Sequence, residues 1–282
     1  MINFLKNITF IIVSYKSKNI IENCIKSVNS ISKILVVENS TNKFIKKDLE
    51  KKYSNVEVIV AGKNLGYACA NNLAINLVKT KYAFILNPDT YFKEEALKQI
   101  YLAIQFLKED FTLLGPGIVN TNTIMTNNFD EKNFVQKTSY IKGFAIFVNM
   151  NKIDFSPFFD ENFFLFLEEI DLCKRVIDFG GKIYLVNKCN IYHDAKKSSF
   201  NNLEIEKCRN WHWMWSLFYY NKKHYGNFVA YRVTITKFIS SLIKFIFGYI
   251  FFKKKYSLIH KSRIEGLINA YFNKPSWRRP HE

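Results

Sequence analysis

Apolar residues fall along this chain in short, nearly continuous runs separated by amphipathic stretches, and that alternation sets the first expectation. The runs ITFIIVSY (Ile8–Tyr15), ILVVE (Ile34–Glu38), VEVIVA (Val56–Ala61) and YAFIL (Tyr82–Leu86) are short and rich in β-branched or aromatic residues. Such runs read as strands buried on both faces of a sheet. Between them lie helical stretches at about Ile20–Ser30, a Lys-rich one ending near Tyr53, and one from NLGYACANN to Lys79. Strand and helix alternating four times predict a mostly parallel sheet with helical crossovers. In such sheets ligands sit beyond the carboxyl ends of the strands, where this chain gathers Ser14, Tyr15, Glu38, Asn39, Asn64, Asn87 and Asp89.

The second half is less regular. It reads as a helix at Glu94–Lys108, a strand at Leu113–Asn120, a polar loop at Thr121–Lys137 and a strand at Tyr140–Met150. The aromatic stretch FSPFFDENFFLFLEEIDLCKR follows, then a last strand, KIYLVN, leading to Ile191-Tyr192-His193. Beyond Asn201 the chain becomes aromatic, apolar and basic. Arg232, Lys237 and Lys244 interrupt every long apolar run there, so a transmembrane helix is not the first expectation. On a helical wheel Lys237, Ser240, Ser241 and Lys244 share one side and Phe238, Leu242, Phe245, Ile246 and Tyr249 the other. The pattern predicts an interfacial helix followed by Lys253–Lys255; the alternative is a core helix packing on the preceding domain.

Composition narrows the class. With 282 residues, 48% hydrophobic, 10 Gly and 5 Pro, the chain is neither disordered nor collagenous. Its 41 Lys and Arg against 24 Asp and Glu give +17, a field that favours nucleic acid, nucleotide phosphates or an anionic membrane. Five scattered cysteines without a CxxC pair argue against a disulfide framework or a zinc knuckle. The opening MINFLKNITF has no small-residue cleavage site, so no signal peptide and a cytoplasmic setting are expected.

Four features carry candidate chemistry. LNPDT (Leu86–Thr90) exposes Asp89 where a buried strand ends, suited to a divalent cation on a diphosphate, or else to capping a helix starting near Phe92. In FLEEIDLCKR, Glu168 and Asp171 share a helical face and Glu169 points elsewhere; aromatic neighbours (Phe163, Phe164, Phe166) would raise a carboxylate's pKa towards a general base. The plainer reading makes these acids a helix N-terminus, with Asp171 paired to Arg175, and for Asp171 that reading is preferred. NLGYACANN lacks the P-loop Lys and the GxGxxG spacing, yet its Gly and paired amides can approach a nucleotide. His193 is either structural or within reach of the same cleft as Glu169.

In their order, IIVSYKS, VVENS, NLGYACANN, LNPDT, GFAIFV, FFDENFFLFLEEIDLCKR and His193 resemble family 2 glycosyltransferases of the GT-A fold, especially the bacterial rhamnosyltransferase-like branch. The resemblance covers about residues 8–200. It implies a Rossmann-like, mostly parallel central sheet flanked by helices, and an inverting transfer from a nucleoside diphosphate sugar. It also implies a glycosyltransferase domain at 1–200, with a nucleotide-sugar half at about 1–90 and an acceptor half at about 91–200. Residues 201–282 would form a helical basic extension associated with the membrane. By position Ser14, Tyr15 and Glu38 resemble the base- and ribose-contacting set, with Glu38 where Asp is usual, and Asn64 lies beside the nucleotide. Asn87-Pro88-Asp89 stands in place of the family's DxD motif, leaving Asp89 for Mg²⁺ or Mn²⁺ and tilting the donor towards dTDP-rhamnose, with UDP-hexose next. Glu169 aligns with the catalytic base, although Glu-Glu departs from the usual Glu-Asp and leaves Glu168 as the alternative. Gly143, Phe144 and Glu168 border the acceptor, and His193 resembles a second metal or diphosphate contact. The expected acceptor is a saccharide, lipid-linked, used in surface polysaccharide or lipopolysaccharide synthesis at the inner face of the cytoplasmic membrane. The partners expected are therefore a sugar nucleotide, this acceptor and an anionic membrane surface, and not nucleic acid. The alternatives are a sugar nucleotidyltransferase and a non-enzymatic, basic nucleic-acid-binding protein.

Overall fold

The computed structural model describes residues 1–28, 30–92, 95–119, 134–193 and 202–280. Glu94, Asn120, most of the loop Thr121–Lys137 and the segment after His193 lie outside the described residues, as does the side chain of His193. The chain divides into two compact units: Met1–Leu65, Cys69–Asp160 and Glu169–Ser199 form the first, and Gly66–Ala68, Glu161–Glu168 and Phe200–Glu282 the second.

The first unit is built on one mixed sheet. The chain runs α1 (Ile2–Lys6), β1 (Ile8–Ser14), α2 (Lys18–Ser27), β2 (Lys33–Glu38), α3 (Phe44–Lys52) and β3 (Val56–Val60). Next come α4 (Tyr67–Ile75), β4 (Tyr82–Leu86), β5 (Thr90–Phe92), α5 (Ala96–Phe106), β6 (Leu113–Val119) and β7 (Val135–Lys137). β8 (Ala145–Asn149), α6 (Glu168–Asp178) and β9 (Ile183–His193) complete it. The strand order is β3-β2-β1-β4-β8-β6-β9-β5, with β7 paired to β9. β3, β2, β1 and β4 are parallel, as their helical crossovers require, and the inner three are largely buried on both faces while β3, at the edge, exposes Glu57. β8 then enters antiparallel between β4 and β6. Phe10, Phe84, Phe92 and Phe147 meet edge to face or stacked around these central strands, filling the space between sheet and helices.

Differences from the sequence pattern have local causes. β5 is only three residues, too short for a period to register; Thr90 and Phe92 are buried while Tyr91 stacks on Tyr192 at 4.9 Å. Because a strand and not a helix follows Asp89, this carboxylate is not a helix cap. β8 begins at Ala145 and not near Tyr140, because a turn closes from the Ala145 N–H to the Lys142 carbonyl. β9 reaches His193 past a register shift opposite Pro116 and Gly117, where a side chain on Gly117 would strike the Asn187 carbonyl.

The second unit is helical. α7 (Leu203–Ile250) is broken at Gly226, whose φ of 83° and ψ of 172° reverse the chain, so that Phe218 on the first arm meets Tyr231 on the second. α8 (Lys254–Tyr271) runs beside both arms, with Gly266 against the Trp211 backbone, Gly248 against Ser257, and Thr234 Oγ1 3.1 Å from Tyr271 Oη. The core comprises Trp211, Met214, Trp215, Phe218, Ala230, Leu267 and Ala270. This packing corrects the wheel reading of the second arm. Ser241 is buried and Phe238 and Phe245 are half-buried, so all three leave the faces first given to them. The same unit holds Phe164, whose ring lies 3.9 Å under the Arg279 guanidinium and whose carbonyl accepts from the Tyr67 N–H at 2.9 Å. Gly66, at φ 84°, sits so close to Phe164 that no side chain fits.

Asp171, fully buried, accepts from Arg175 Nε at 2.8 Å, and the same guanidinium donates to the carbonyls of Pro157 and Phe158. The plainer reading of Asp171 therefore holds. Removing one partner of such a pair leaves a buried charge uncompensated. Arg175→Ala is expected to lower unfolding stability by about 3 kcal/mol in urea titration; a loss below about 0.5 kcal/mol, the range of ordinary surface substitutions, would show that the pair does not hold α6.

Candidate active site

The carboxyl ends of β1 and β2 set the first part of the site. Register places Ser14 opposite Glu38, and the Asn39 N–H donates to the Ser14 carbonyl at 2.7 Å. Glu38 is 2% exposed and accepts from Ser40 Oγ at 2.5 Å. Burial pushes its pKa up, and the hydroxyls of Ser40 and Ser14 pull the other way. Lys16 turns the chain with a positive φ of 53°, and Tyr15 beside it keeps a buried phenolic oxygen with no hydrogen-bond partner among the described residues. An orphaned buried oxygen at a strand end is available to a ligand.

Asn39 then ties in the next loop. Its Nδ2 donates to Asn64 Oδ1 at 3.1 Å, and its Oδ1 accepts from the Leu65 N–H at 2.8 Å. Asn64 is thus held at the end of β2 by a residue to which the sequence reading gave no role; the signal was an amide directly following a buried strand. Asn72, read as one of two amides free to meet a nucleotide, is instead structural. Its amide makes two 2.9 Å bonds to the backbone of Phe159.

Beyond β4 the chain makes a tight turn. The Asn87 carbonyl accepts from the Thr90 N–H at 3.1 Å and from Thr90 Oγ1 at 2.6 Å, and Cys24 Sγ approaches it at 3.7 Å. This turn presents Asp89, which is 5% exposed. Burial, reinforced by the Asp89 charge, pushes the Cys24 thiol up to about 12, so it stays protonated. Backbone register sets His193 opposite Thr90, one residue from Asp89.

The acceptor-side residues are reached through β8. The Asn87 N–H donates to the Phe144 carbonyl at 2.8 Å, and Leu86 pairs with Ala145. Gly143, next along, faces Glu169: a Cβ there would stand 3.5 Å from the Glu169 side chain, which therefore lies across the glycine. Glu169 is half-buried in the first turn of α6, and desolvation pushes its pKa up against the opposing pull of its own and Ile170's backbone N–H. Glu168 opens the same helix, is buried, and belongs to the second unit. The first unit thus joins Ser14, Glu38 and Asn64 in one hydrogen-bonded edge, and Asn87, Asp89, Phe144, Gly143 and Glu169 in a continuous backbone-linked series.

Among the described residues no group of three or more His, Cys, Asp or Glu gathers to cage a metal. A lone carboxylate at a strand end fits an ion completed by phosphate oxygens, since Mg²⁺ and Mn²⁺ sites of that kind use one or two carboxylates.

The raised pKa of Glu169 has a consequence for stability. A carboxyl whose folded pKa exceeds its unfolded value contributes fully below the unfolded value, about 4.3, and that contribution is lost as pH rises through the folded one. Glu169→Gln, which cannot ionise, is expected to melt with the wild type near pH 4 and above it at pH 8; coincident Tm values at both would show that Glu169 is not desolvated.

The sequence profile of Glycosyl transferase family 2 matches residues 9–156. The low-salt glycan biosynthesis hexosyltransferase Agl10 of Haloferax volcanii is 22% identical over 193 residues, 61% of this chain and 62% of that protein. The chain therefore spans less than two thirds of that relative. The rhamnosyltransferase WbbL of Escherichia coli K12 is 22% identical over 237 residues, 72% of this chain and 88% of that one. The mannosyltransferase PcManGT of Pyrobaculum calidifontis, solved with GDP-Man and Mn²⁺, superposes with a TM-score of 0.60 at 11% identity over 95% of this chain and 88% of its own. That likeness shows the GT-A fold: a central sheet with flanking helices, parallel through β3-β2-β1-β4 and mixed beyond. With more than half of its length matched by the family profile, this chain belongs to glycosyltransferase family 2.

Proposed function

We propose that this chain transfers a sugar from a nucleoside diphosphate sugar, with inversion, to a saccharide acceptor carried on a membrane lipid. The observation that carries the reading is the linkage of Asp89 and Glu169 through the Asn87–Phe144 hydrogen bond and Gly143. It joins the turn that carries Asp89, where β4 ends, to the turn before β8 whose glycine faces the desolvated Glu169, and this supports one carboxylate for the diphosphate and one for the acceptor. The likeness to a rhamnosyltransferase and a hexosyltransferase supports a rhamnosyl or hexosyl donor; the Asn-Pro-Asp variant puts dTDP-rhamnose first and UDP-hexose next. Family membership leaves the nucleotidyltransferase and nucleic-acid readings without support of their own. Residues 1–200 would be catalytic and 201–282 an extension for the membrane.

In this mechanism Ser14, Tyr15 and Glu38 hold the base and ribose, and Asn39 keeps Asn64 beside the nucleotide. Asp89 would hold Mg²⁺ or Mn²⁺, with His193, whose backbone pairs with Thr90, as the proposed second contact. When bound, the ion supplies Lewis-acid neutralisation of the departing diphosphate. Gly143, Phe144 and Glu168 are the proposed acceptor contacts, and the missing side chain at Gly143 leaves room for Glu169. Glu169 removes the acceptor hydroxyl proton as that oxygen forms its bond to the anomeric carbon. The bond from this carbon to the diphosphate oxygen breaks on the opposite face, and its electron pair leaves with the nucleoside diphosphate. Glu169 must be ionised to act, so the rate rises with pH through its elevated pKa. The strong positive charge suits an acceptor with phosphates at an anionic inner leaflet.

Thermal shift against UDP, dTDP, GDP and their sugars, each with Mn²⁺, Mg²⁺ or EDTA, tests the donor. A metal-dependent rise with one nucleoside diphosphate is expected, weakened in Asp89→Asn; no rise with any would overturn the reading. Glu169→Gln is expected to keep that shift and lose about 10²–10⁴ in kcat. Retained turnover there would remove Glu169 as base and turn attention to Glu168.

A further inference from the structure

The second arm of α7, residues 227–250, has three faces of different chemistry. One is the seam on α8, lined by small or weakly polar residues: Ala230, Thr234, Ser241 and Gly248 are buried there. A second carries Thr236, Lys237, Ser240 and Lys244, all exposed. The third is an apolar stripe, Phe228, Ile235, Ile239, Leu242, Ile246 and Ile250, spaced seven, four, three, four and four residues apart and therefore aligned along the helix, with the exposed Arg232 on the same side in the gap between Phe228 and Ile235. These six are between 39% and 79% exposed. The stripe runs into Phe251 and Phe252, the latter 94% exposed, and then into Lys253–Lys255.

We propose that this arm lies in the plane of an anionic bilayer, with the stripe in the acyl region, Arg232 and Lys253–Lys255 reaching the headgroups, Lys237 and Lys244 on the flank turned to water, and α8 backing it through the small-residue seam. The proposal rests for its purpose on the lipid-linked acceptor reading above, and for its physics on the helix faces alone. Between Lys207 and Ile264 the chain carries twelve Lys and Arg and no Asp or Glu. Apposing this stripe to that of a second copy would bring two such cationic segments together, with like charges in contact. An anionic headgroup layer neutralises them, each basic residue adding about 1 kcal/mol near the surface. Nucleic acid would need cations along the centre of the face, where this arm places isoleucines. α7 is long and apolar enough by length and composition to cross a membrane. Gly226 divides it, however, and an arm of about 36 Å crossing the bilayer would carry Lys237 and Lys244 into the hydrocarbon. A one-sided stripe on a helix with a charged opposite flank belongs in the interface.

Vesicle flotation of the full chain, with phosphatidylcholine alone or mixed with phosphatidylglycerol, tests this. The wild type is expected to float with the anionic vesicles, and the double variant Ile239→Asp, Ile246→Asp about tenfold more weakly or worse. Its nucleoside diphosphate thermal shift should be unchanged, since neither residue belongs to the catalytic unit. Ile246→Trp supplies a second readout: brominated acyl chains should quench its emission beyond the wild-type tryptophan background. Flotation of the double variant equal to wild type, or no added quenching at position 246, would overturn insertion. A wild-type dimer in size-exclusion chromatography that the double variant abolishes, without flotation, would assign the stripe to a second copy. Flotation and quenching without any nucleotide shift would leave the docking standing while the transferase reading falls.

Discussion

The Asn87 N–H donates to the Phe144 carbonyl, and at that bond the parallel half of the sheet meets the mixed half. The placing of the Asp89 turn against Gly143 and Glu169 depends on this register. β8 is buried on both faces along its whole length, from Ala145 to Asn149, so a slip of one residue would exchange every side chain between two different packing environments. It would also carry Gly143 away from Glu169, where the absence of a side chain is what lets the carboxylate lie across the strand. The spacing between the turn at Asp89 and the first turn of α6 is consequently set by backbone ladders and not by side-chain flexibility. For a proposed in-line displacement, which tolerates little misplacement of base against leaving group, that is the useful kind of rigidity.

A second constraint is electrostatic. The chain is strongly cationic, yet acids are buried at the site's edge, and they are handled differently. Asp171 is fixed by a guanidinium and serves packing. Glu38 is solvated by hydroxyls, a weaker substitute for water, so burial still raises its pKa. Glu169 receives only backbone N–H support against its desolvation. Such a group is poorly stabilised as an anion, which makes it a better proton acceptor and a liability to the fold. In the proposed mechanism an anionic diphosphate would meet Asp89 as a like charge, and a divalent ion held by that carboxylate would supply the neutralisation.

The parallel core was legible because β1, β2 and β4 are largely buried on both faces and such strands print themselves as nearly uninterrupted apolar runs, while β3, at the sheet edge, still keeps four apolar residues of five around the exposed Glu57. β5 and β7 were not, since three residues carry no period, and their pairing is imposed by β9 across a long separation in sequence. Misreading β5 is also what offered Asp89 as a helix cap. In the candidate site, the carboxylates and strand-end residues could be listed from position alone, because each follows directly on a run that reads as a strand. The partners that fix them could not: Asn39 holding Asn64, or Thr90 closing the turn at Asn87, are short-range bonds between loops. Asn72 shows the reverse error, an amide near a glycine turn that proves to be satisfied by the Phe159 backbone.

The helical extension raises the same problem in another form. A wheel divides residues into apolar and polar, but a helix held by a second helix has a third face, and polarity alone cannot say which apolar side is packed. Size separates them here. Where two helices approach closely the seam must be small, so Ala230, Thr234, Ser241 and Gly248 mark the α8 side, including residues that count as polar on a wheel. The large aliphatics are then excluded from the seam by volume and left outward. In water that arrangement leaves a row of large apolar side chains exposed. In the proposed lipid interface the outward isoleucines would be solvated by acyl chains while the small-residue seam kept its packing.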